Sequence, residues 1–497
     1  MESLRLRNEK TESLQKMEGM SVKGRGCAAL LLCALLLWCA PVLAEELFVQ
    51  MPEALRPFEE AKVIVNAPED GALTVRVEDE FGEHMRIADG LTVRRGTVAL
   101  PYAATSYGGM PLRAGGYRLS FELTGAGGTV YSARAEATVT EPITLLEYAL
   151  PCSAVCYQKQ PKVWFVDCSV TGACVVNLEI YADDTMEKPV ASVRKKIANS
   201  GFFRVAWNGK KDGRKVAAGA YWCKAYASDR EDRAIIFPLE IREGRPPETE
   251  LAPTGGLLPT SPDDEAVWQA MMKPLVVVNI EATDHQPLYA KPSGKSKAVG
   301  SVHGQSQGLE VVEVGKAYTL VRAWRHEDGE YVEGYVPTKK LRVITPNVHY
   351  GLLIDKQAQR MTVYEYGAPI GQIRISTGLM AGEKLFRETR AGAFITTDRV
   401  APFKSNGYQN VYAIRIDGGN LLHQVGYQTA GGKADFREQI KQLGQKASEG
   451  CVRVDCRTDA GHPLNAYWLW THLEYGTKVL VLDDPAQRRA RMGELLP

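Results

Sequence analysis

Apolar and polar residues alternate along most of this chain, and turn residues break the alternation at short intervals. Residues 45 to 142 carry "AKVIVNAP", "ALTVRVEDE", "GYRLSFELTG" and "ARAEATVTE", with Gly, Pro and Asp between them. A period of two buries one face of each run, which predicts short antiparallel strands in a β-sandwich. Residues 143 to 243 repeat the style in "VVNLEIYADD" and "AIIFPLEIRE". Then "GRPPETELAPTGGLLPTSPDDE", rich in Pro, Gly and Thr, marks residues 244 to 274 as a linker. Strand-like runs resume over 275 to 344 with "LEVVEVGKAYTLVRA" and "EGYVPTKKLRVI". The last unit, 345 to 484, opens with "YGLLIDKQ", "RMTVYEYG" and "IGQIRIST" and closes with "GTKVLVLDD". Its "ADFREQIKQLGQKAS" has a helical look. The pattern predicts a mainly β, multidomain protein with one or two helices in the last unit and a tail over 485 to 497.

Composition changes this picture little. At 497 residues the chain is too long for one core, and roughly three or four domains are expected. A formal net charge of +1, with no basic cluster interleaved with aromatics, gives no footprint for nucleic acid. The N-terminus adds more. In "MSVKGRGCAALLLCALLLWCAPVLAEE", Lys23 and Arg25 precede an apolar run too short for a comfortable membrane span. Small residues before Glu45 offer a cleavage site, so residues 1 to 44 read as a signal peptide cut after Ala44. Met20 would give the compact basic start such a signal has. An uncleaved signal anchor is the competing reading, and bulky Trp38 argues against a lipoprotein at Cys39. The expected location is outside the cell, as a secreted protein.

Export allows disulfides. Of ten cysteines, Cys27, Cys33 and Cys39 would leave with the signal segment, while Cys152, Cys156, Cys168, Cys174 and Cys223 crowd one region. One or two bridges with an odd thiol left over are expected there, in a pairing the spacing does not assign.

Two modules resemble known folds. Trp207-Asn208-Gly209, Asp212-Gly213 and "AAGAYWCKAYA" resemble the immunoglobulin-like modules of bacterial surface proteins, and two such sandwiches are expected in all. The Gly334-Tyr335-Val336-Pro337 turn resembles the last strands of a bacterial Src-homology-3-like barrel. Barrels of that kind contact cell-wall peptides or serve as spacers.

Candidate chemistry gathers in "ASEGCVRVDCR", residues 447 to 457. Cys451 has four readings. A buried inert thiol fits poorly beside Gly450, Arg453 and Asp455. Zinc held by Cys451, Cys456, His423 and His462 lacks the two-residue Cys spacing of most zinc turns. A bridge to Cys456 would need two side chains that an extended strand points to opposite faces. A nucleophile needs a base and donors for a developing oxyanion. Spacing favours His423 over His462 and His472 only mildly. Gly450 permits a sharp turn in which the amides of Glu449, Gly450 and Cys451 converge beside the sulfur. Arg453 shares the cysteine's strand face and suits a substrate carboxylate, unless it serves a structural ion pair.

This region resembles the L,D-transpeptidase catalytic domain of bacterial cell-wall enzymes. The family signature is a His, a spacer, then Ser/Thr-His-Gly-Cys, an apolar residue and Arg or Asn. Here stand His423 and Ser448-Glu449-Gly450-Cys451-Val452-Arg453. The opening hairpin with Ser376 to Gly378, "ETRAGAFIT" and "YGTKVLVLDD" match in the same order. Three departures stand out: Glu449 replaces the second histidine, the spacer after His423 is long, and Arg390 replaces a proline.

The resemblance implies Cys451 as nucleophile, His423 as base oriented by the Gln424 carbonyl, and Ser448 and Arg453 at the substrate. It implies peptidoglycan stem peptides as partners and needs no metal or organic cofactor. Transfer to an amine would give a 3→3 cross-link, and transfer to water a trimmed tripeptide. The rival is a non-catalytic wall-binding protein that keeps the domain as a scaffold.

Overall fold

The structure, a computed structural model, describes residues 46–79, 82–379, 387–431, 433–458 and 462–484. The expected signal segment and C-terminal tail lie outside them. The described chain is mainly β and multidomain. The first module pairs a three-stranded sheet with a four-stranded one around Val65, Leu73, Val77 and Leu123, so alternating apolar positions of both sheets meet in one core. The second module packs a three-stranded sheet on a five-stranded one, with Trp164 edge-on to Trp207 in its core.

No disulfide closes that second core. All seven described cysteines are free, against the expectation of one or two bridges. Cys156, Cys168 and Cys223 are buried and pack as small apolar side chains.

Part of the segment expected as a linker is ordered. Helix α1, Asp264–Met272, starts at Asp263, whose carboxylate accepts from the Ala266 amide at 2.9 Å. Its C-terminal carbonyls at Ala270 and Lys273 accept from the buried ammonium of Lys478, at 2.8 and 2.7 Å. After it, a five-stranded sheet spans 285 to 337, flanked by the pair Leu275–Val278 and Leu341–Ile344.

The last unit is built on one nine-stranded sheet. Its strands in chain order are β1 (Tyr350–Asp355), β2 (Arg360–Glu365), β3 (Ala368–Ser376), β4 (Gly392–Ile395), β5 (Arg399–Val400), β6 (Ala413–Asp417), β7 (Asn420–Gln424), β8 (Val452–Val454) and β9 (Lys478–Val481). Across the sheet they lie in the order β4-β9-β1-β2-β3-β8-β7-β6-β5. Only β1·β9 and β7·β8 are parallel. Strand β9 is apolar at three consecutive positions, Val479 to Val481, because both faces are covered. Val479 and Val481 face a core shared with Leu469, and Leu480 faces Val267 and Met271 of α1.

The expected helix over "ADFREQIKQLGQKAS" shrinks to α2, Arg437–Ile440, preceded by a small hairpin of Gln428–Ala430 with Lys433–Asp435. Gly444 allows no continuation, being at φ +84. A further helix, α3 (Ala466–His472), is capped by Asn465, whose side chain accepts from the Trp468 amide at 2.8 Å.

Candidate active site

The turn that carries Cys451 is held by side-chain and backbone bonds on both sides. The Ser448 amide donates to the Thr377 carbonyl at 3.0 Å, and the Leu379 amide donates to the Ser448 carbonyl at 2.9 Å. Gly378 is needed there because a Cβ would lie 2.8 Å from the Gly450 Cα. Gly450 itself sits at φ +111, and a Cβ on it would lie 2.5 Å from Asn420 Oδ1. Buried Thr389 ties the two glycines together. Its hydroxyl accepts from the Gly378 amide at 2.8 Å and donates to the Gly450 carbonyl at 2.9 Å.

Two expected roles differ here. The Gly450 amide points at Ser448 Oγ, 3.3 Å away, and is thereby engaged within the turn. The Ser448 hydroxyl also donates to the Cys451 carbonyl, so this buried side chain braces the turn and does not face a substrate.

Strand register brings the other residues in. Parallel pairing sets His423 of β7 beside Arg453 of β8, and antiparallel pairing sets Ser376 of β3 on Arg453's other side. Cys451 directly precedes β8 and lies near enough to Arg453 for the guanidinium to favour its thiolate. His423 Nδ1 is 2.7 Å from the Gln424 carbonyl. A carbonyl only accepts, so Nδ1 carries the proton and the neutral ring keeps its lone pair on Nε2. The Phe403 ring meets His423 edge-on at 5.7 Å.

Burial dominates the electrostatics. It pushes the Cys451 thiol up, while the Leu421 amide and the Arg453 charge favour the thiolate and Glu449 opposes it. Burial also lowers His423 to about 4, with the Gln424 bond resisting and Arg453 assisting. The resting pair is thus a thiol and a neutral imidazole. Such a pair can pass a proton from sulfur to nitrogen as the sulfur attacks a carbonyl.

Arg453 is half-buried and its guanidinium is hydrogen-bonded to Gln442, in the insertion after α2. Glu449, in the place of the second signature histidine, pairs with Arg387 at the surface. His462 packs over Gly371, five residues back along β3 from Ser376 and so roughly 16 Å of strand from it. His472 stacks on Trp468, its Nδ1 2.9 Å from the Trp468 carbonyl. Cys456 is buried beside Val425 and Leu443.

Sequence reasoning missed Phe403, Asn420 and Thr389. A signal existed for the first: Asn406-Gly407 is a hairpin turn pair, and it joins Phe403–Ser405 to Tyr408–Asn410.

The comparisons with known proteins bear on one region. Residues 349–481 match the family model of the YkuD L,D-transpeptidase catalytic domain. No curated protein matches the sequence. Among solved structures, an L,D-transpeptidase of Xylanimonas cellulosilytica is similar at 21% identity and TM-score 0.20, covering 27% of this chain and 61% of its own. The chain therefore spans less than two thirds of that structure's length. One from Mycobacterium tuberculosis H37Rv is similar at 14% identity and TM-score 0.22, covering 54% of this chain and 91% of its own. The catalytic domain of the E. faecium enzyme is similar at 22% identity and TM-score 0.19, covering 27% and 98%. Over residues 349–481, behind the β-modules, the chain thus matches the family model of the YkuD L,D-transpeptidase catalytic domain.

Proposed function

We propose that the protein is an exported L,D-transpeptidase that remodels peptidoglycan through a thioester on Cys451. One observation carries the reading: the bond from His423 Nδ1 to the Gln424 carbonyl leaves Nε2 as the basic atom, on the strand paired with the one that Cys451 leads into. The Cys451 sulfur attacks the carbonyl carbon that joins the third stem residue, a diaminopimelate or similar, to a terminal D-alanine. Its proton passes to His423. The carbon–nitrogen bond then breaks, and the departing D-alanine amine takes that proton, leaving a thioester. The amine of a neighbouring stem attacks the thioester, gives a proton to His423, and the sulfur leaves and recovers it. With water as acceptor the product is a tripeptide.

The amides of Glu449 and Cys451 serve the oxyanion in this reading, and Arg453 meets a stem carboxylate. The module over 275 to 344 offers the wall contact. Export with cleavage after Ala44 would place the domain beside its substrate.

The test is acylation by a carbapenem, read by mass on the full chain. One adduct that disappears in Cys451→Ala supports the enzyme. No adduct, together with retained muropeptide binding, would establish the scaffold reading that the departure at Glu449 favours. Digestion of purified peptidoglycan then separates 3→3 cross-linking from trimming.

A further inference from the structure

Away from Cys451, three imidazoles from the 275–344 module meet at its contact with the catalytic sheet. His285 opens one strand and pairs directly across from His303 at the end of the next. His326 joins them from the loop after Tyr318–Trp324, held by its amide on the Ser301 carbonyl at 2.8 Å. Ring centroids lie 4.2 to 4.7 Å apart, and one nitrogen from each ring lies within 4.8 Å of the others.

The catalytic unit supplies the surroundings. Asp417, at the end of β6, reaches His303 Nδ1 at 2.8 Å. Arg390 pairs with the same Asp417 and also lies 3.0 Å from the Nδ1 atoms of His303 and His326. The Nδ1 side of both rings is therefore taken, which leaves the Nε2 side of each for a ligand once the ring proton sits on Nδ1.

We propose that His285, His303 and His326 form a binding site for one divalent transition-metal ion of the zinc class. Three imidazole nitrogens suit such an ion. The carboxylate of Asp417 on the far nitrogen of His303 is the outer partner that orients a metal-bound imidazole. Arg390 and Asp417 cancel each other's charge, so the guanidinium does not leave an unbalanced cation behind the site.

Two nitrogens of a tetrahedral zinc site lie about 3.3 Å apart, so the rings must close by about an ångström or more. Exposed His285 is free to make most of that movement. At His326, binding through Nε2 shifts the ring proton to Nδ1. Arg390 Nη1 then keeps the His326 carbonyl, already 3.2 Å away. The ion would draw the module onto the catalytic sheet at Arg390, one residue from the Thr389 that ties the two glycines of the nucleophile turn.

The test uses the full chain, stripped with a chelator and titrated with Zn²⁺ by calorimetry and with Co²⁺ by absorption. The expected result is one ion per chain, with visible Co²⁺ bands and no intense thiolate band in the near ultraviolet. Affinity should fall at least tenfold in His285→Ala and in His326→Ala and stay unchanged in Cys451→Ala. His285 is exposed, so its variant should fold, and Zn²⁺ should raise the melting temperature of the parent but not of that variant. No stoichiometric binding, binding that survives both histidine substitutions, or binding lost with Cys451 would each overturn the site.

Discussion

His423 sets how the proposed chemistry depends on pH. Its folded value is about 4, below the ordinary 6.5 of a free imidazole, chiefly because it is buried. Between those limits the unfolded chain holds a proton on this residue and the folded chain does not. Stability from this group is therefore complete above pH 6.5 and declines as pH falls toward 4. The same shift keeps the base neutral in mildly acidic solution. The rate of carbapenem acylation should hold level from pH 7 down to about 5 and fall only near 4. A fall centred near 6.5 would mean that another histidine, or an exposed imidazole, supplies the base. Replacing His423 by Gln should flatten the acid limb of a stability profile measured by urea unfolding.

At the scale of elements, the nucleophile turn depends on a residue outside it. Thr389, just before β4, satisfies one buried donor and one buried acceptor on the Gly378 and Gly450 backbones. Thr389→Val keeps the shape and removes both bonds, which should cost about 1–3 kcal/mol and slow acylation at least tenfold. Thr389→Ser should restore most of each, as urea unfolding and adduct formation over time would record. Unchanged values in the valine variant would show that the turn stands without this link. Such links explain what the sequence could and could not reveal. Gly450 and Cys451 are legible because a turn is a local pattern, whereas His423 stands out from the other histidines only through the family resemblance. The strands around them are legible through their alternation. Thr389, Asn420 and Phe403 reach the site only through sheet pairing between segments far apart in the chain, which no local period encodes. The helix expected over "ADFREQIKQLGQKAS" does not form at that length because its apolar positions pack as a hairpin and one short turn: Phe436, Ile440 and Leu443 join the small core of Val425, Tyr427 and Cys456. Helix α1 hid inside a Pro-rich stretch for a related reason, since its stability comes from packing on β9 more than from its nine residues.

The molecule as a whole joins its second β-module to the catalytic unit through aromatic edges. Trp470 on α3 meets Tyr148 at 6.0 Å and Phe202 at 5.9 Å, both from the second module. Tyr467, one turn earlier, donates to Glu147 at 2.9 Å. Beneath them Arg399 of β5 donates to the Trp470 and Leu473 carbonyls, where a cation suits the C-terminal end of a helix. Modules that only space a catalytic unit would need no such contact, whereas modules that brace its sheet would. Trp470→Ala should cost about 3–5 kcal/mol in unfolding free energy, as loss of a large buried ring does. The sharper measurement is the double-mutant cycle with Phe202→Ala, read by urea unfolding followed by circular dichroism. An edge-on pair across a packed junction should give a coupling of about 0.5–1.5 kcal/mol. Additive losses would mean that the two rings do not touch in solution. The catalytic unit would then have to bury Trp470 by some other means, because the ring is too apolar to leave facing water.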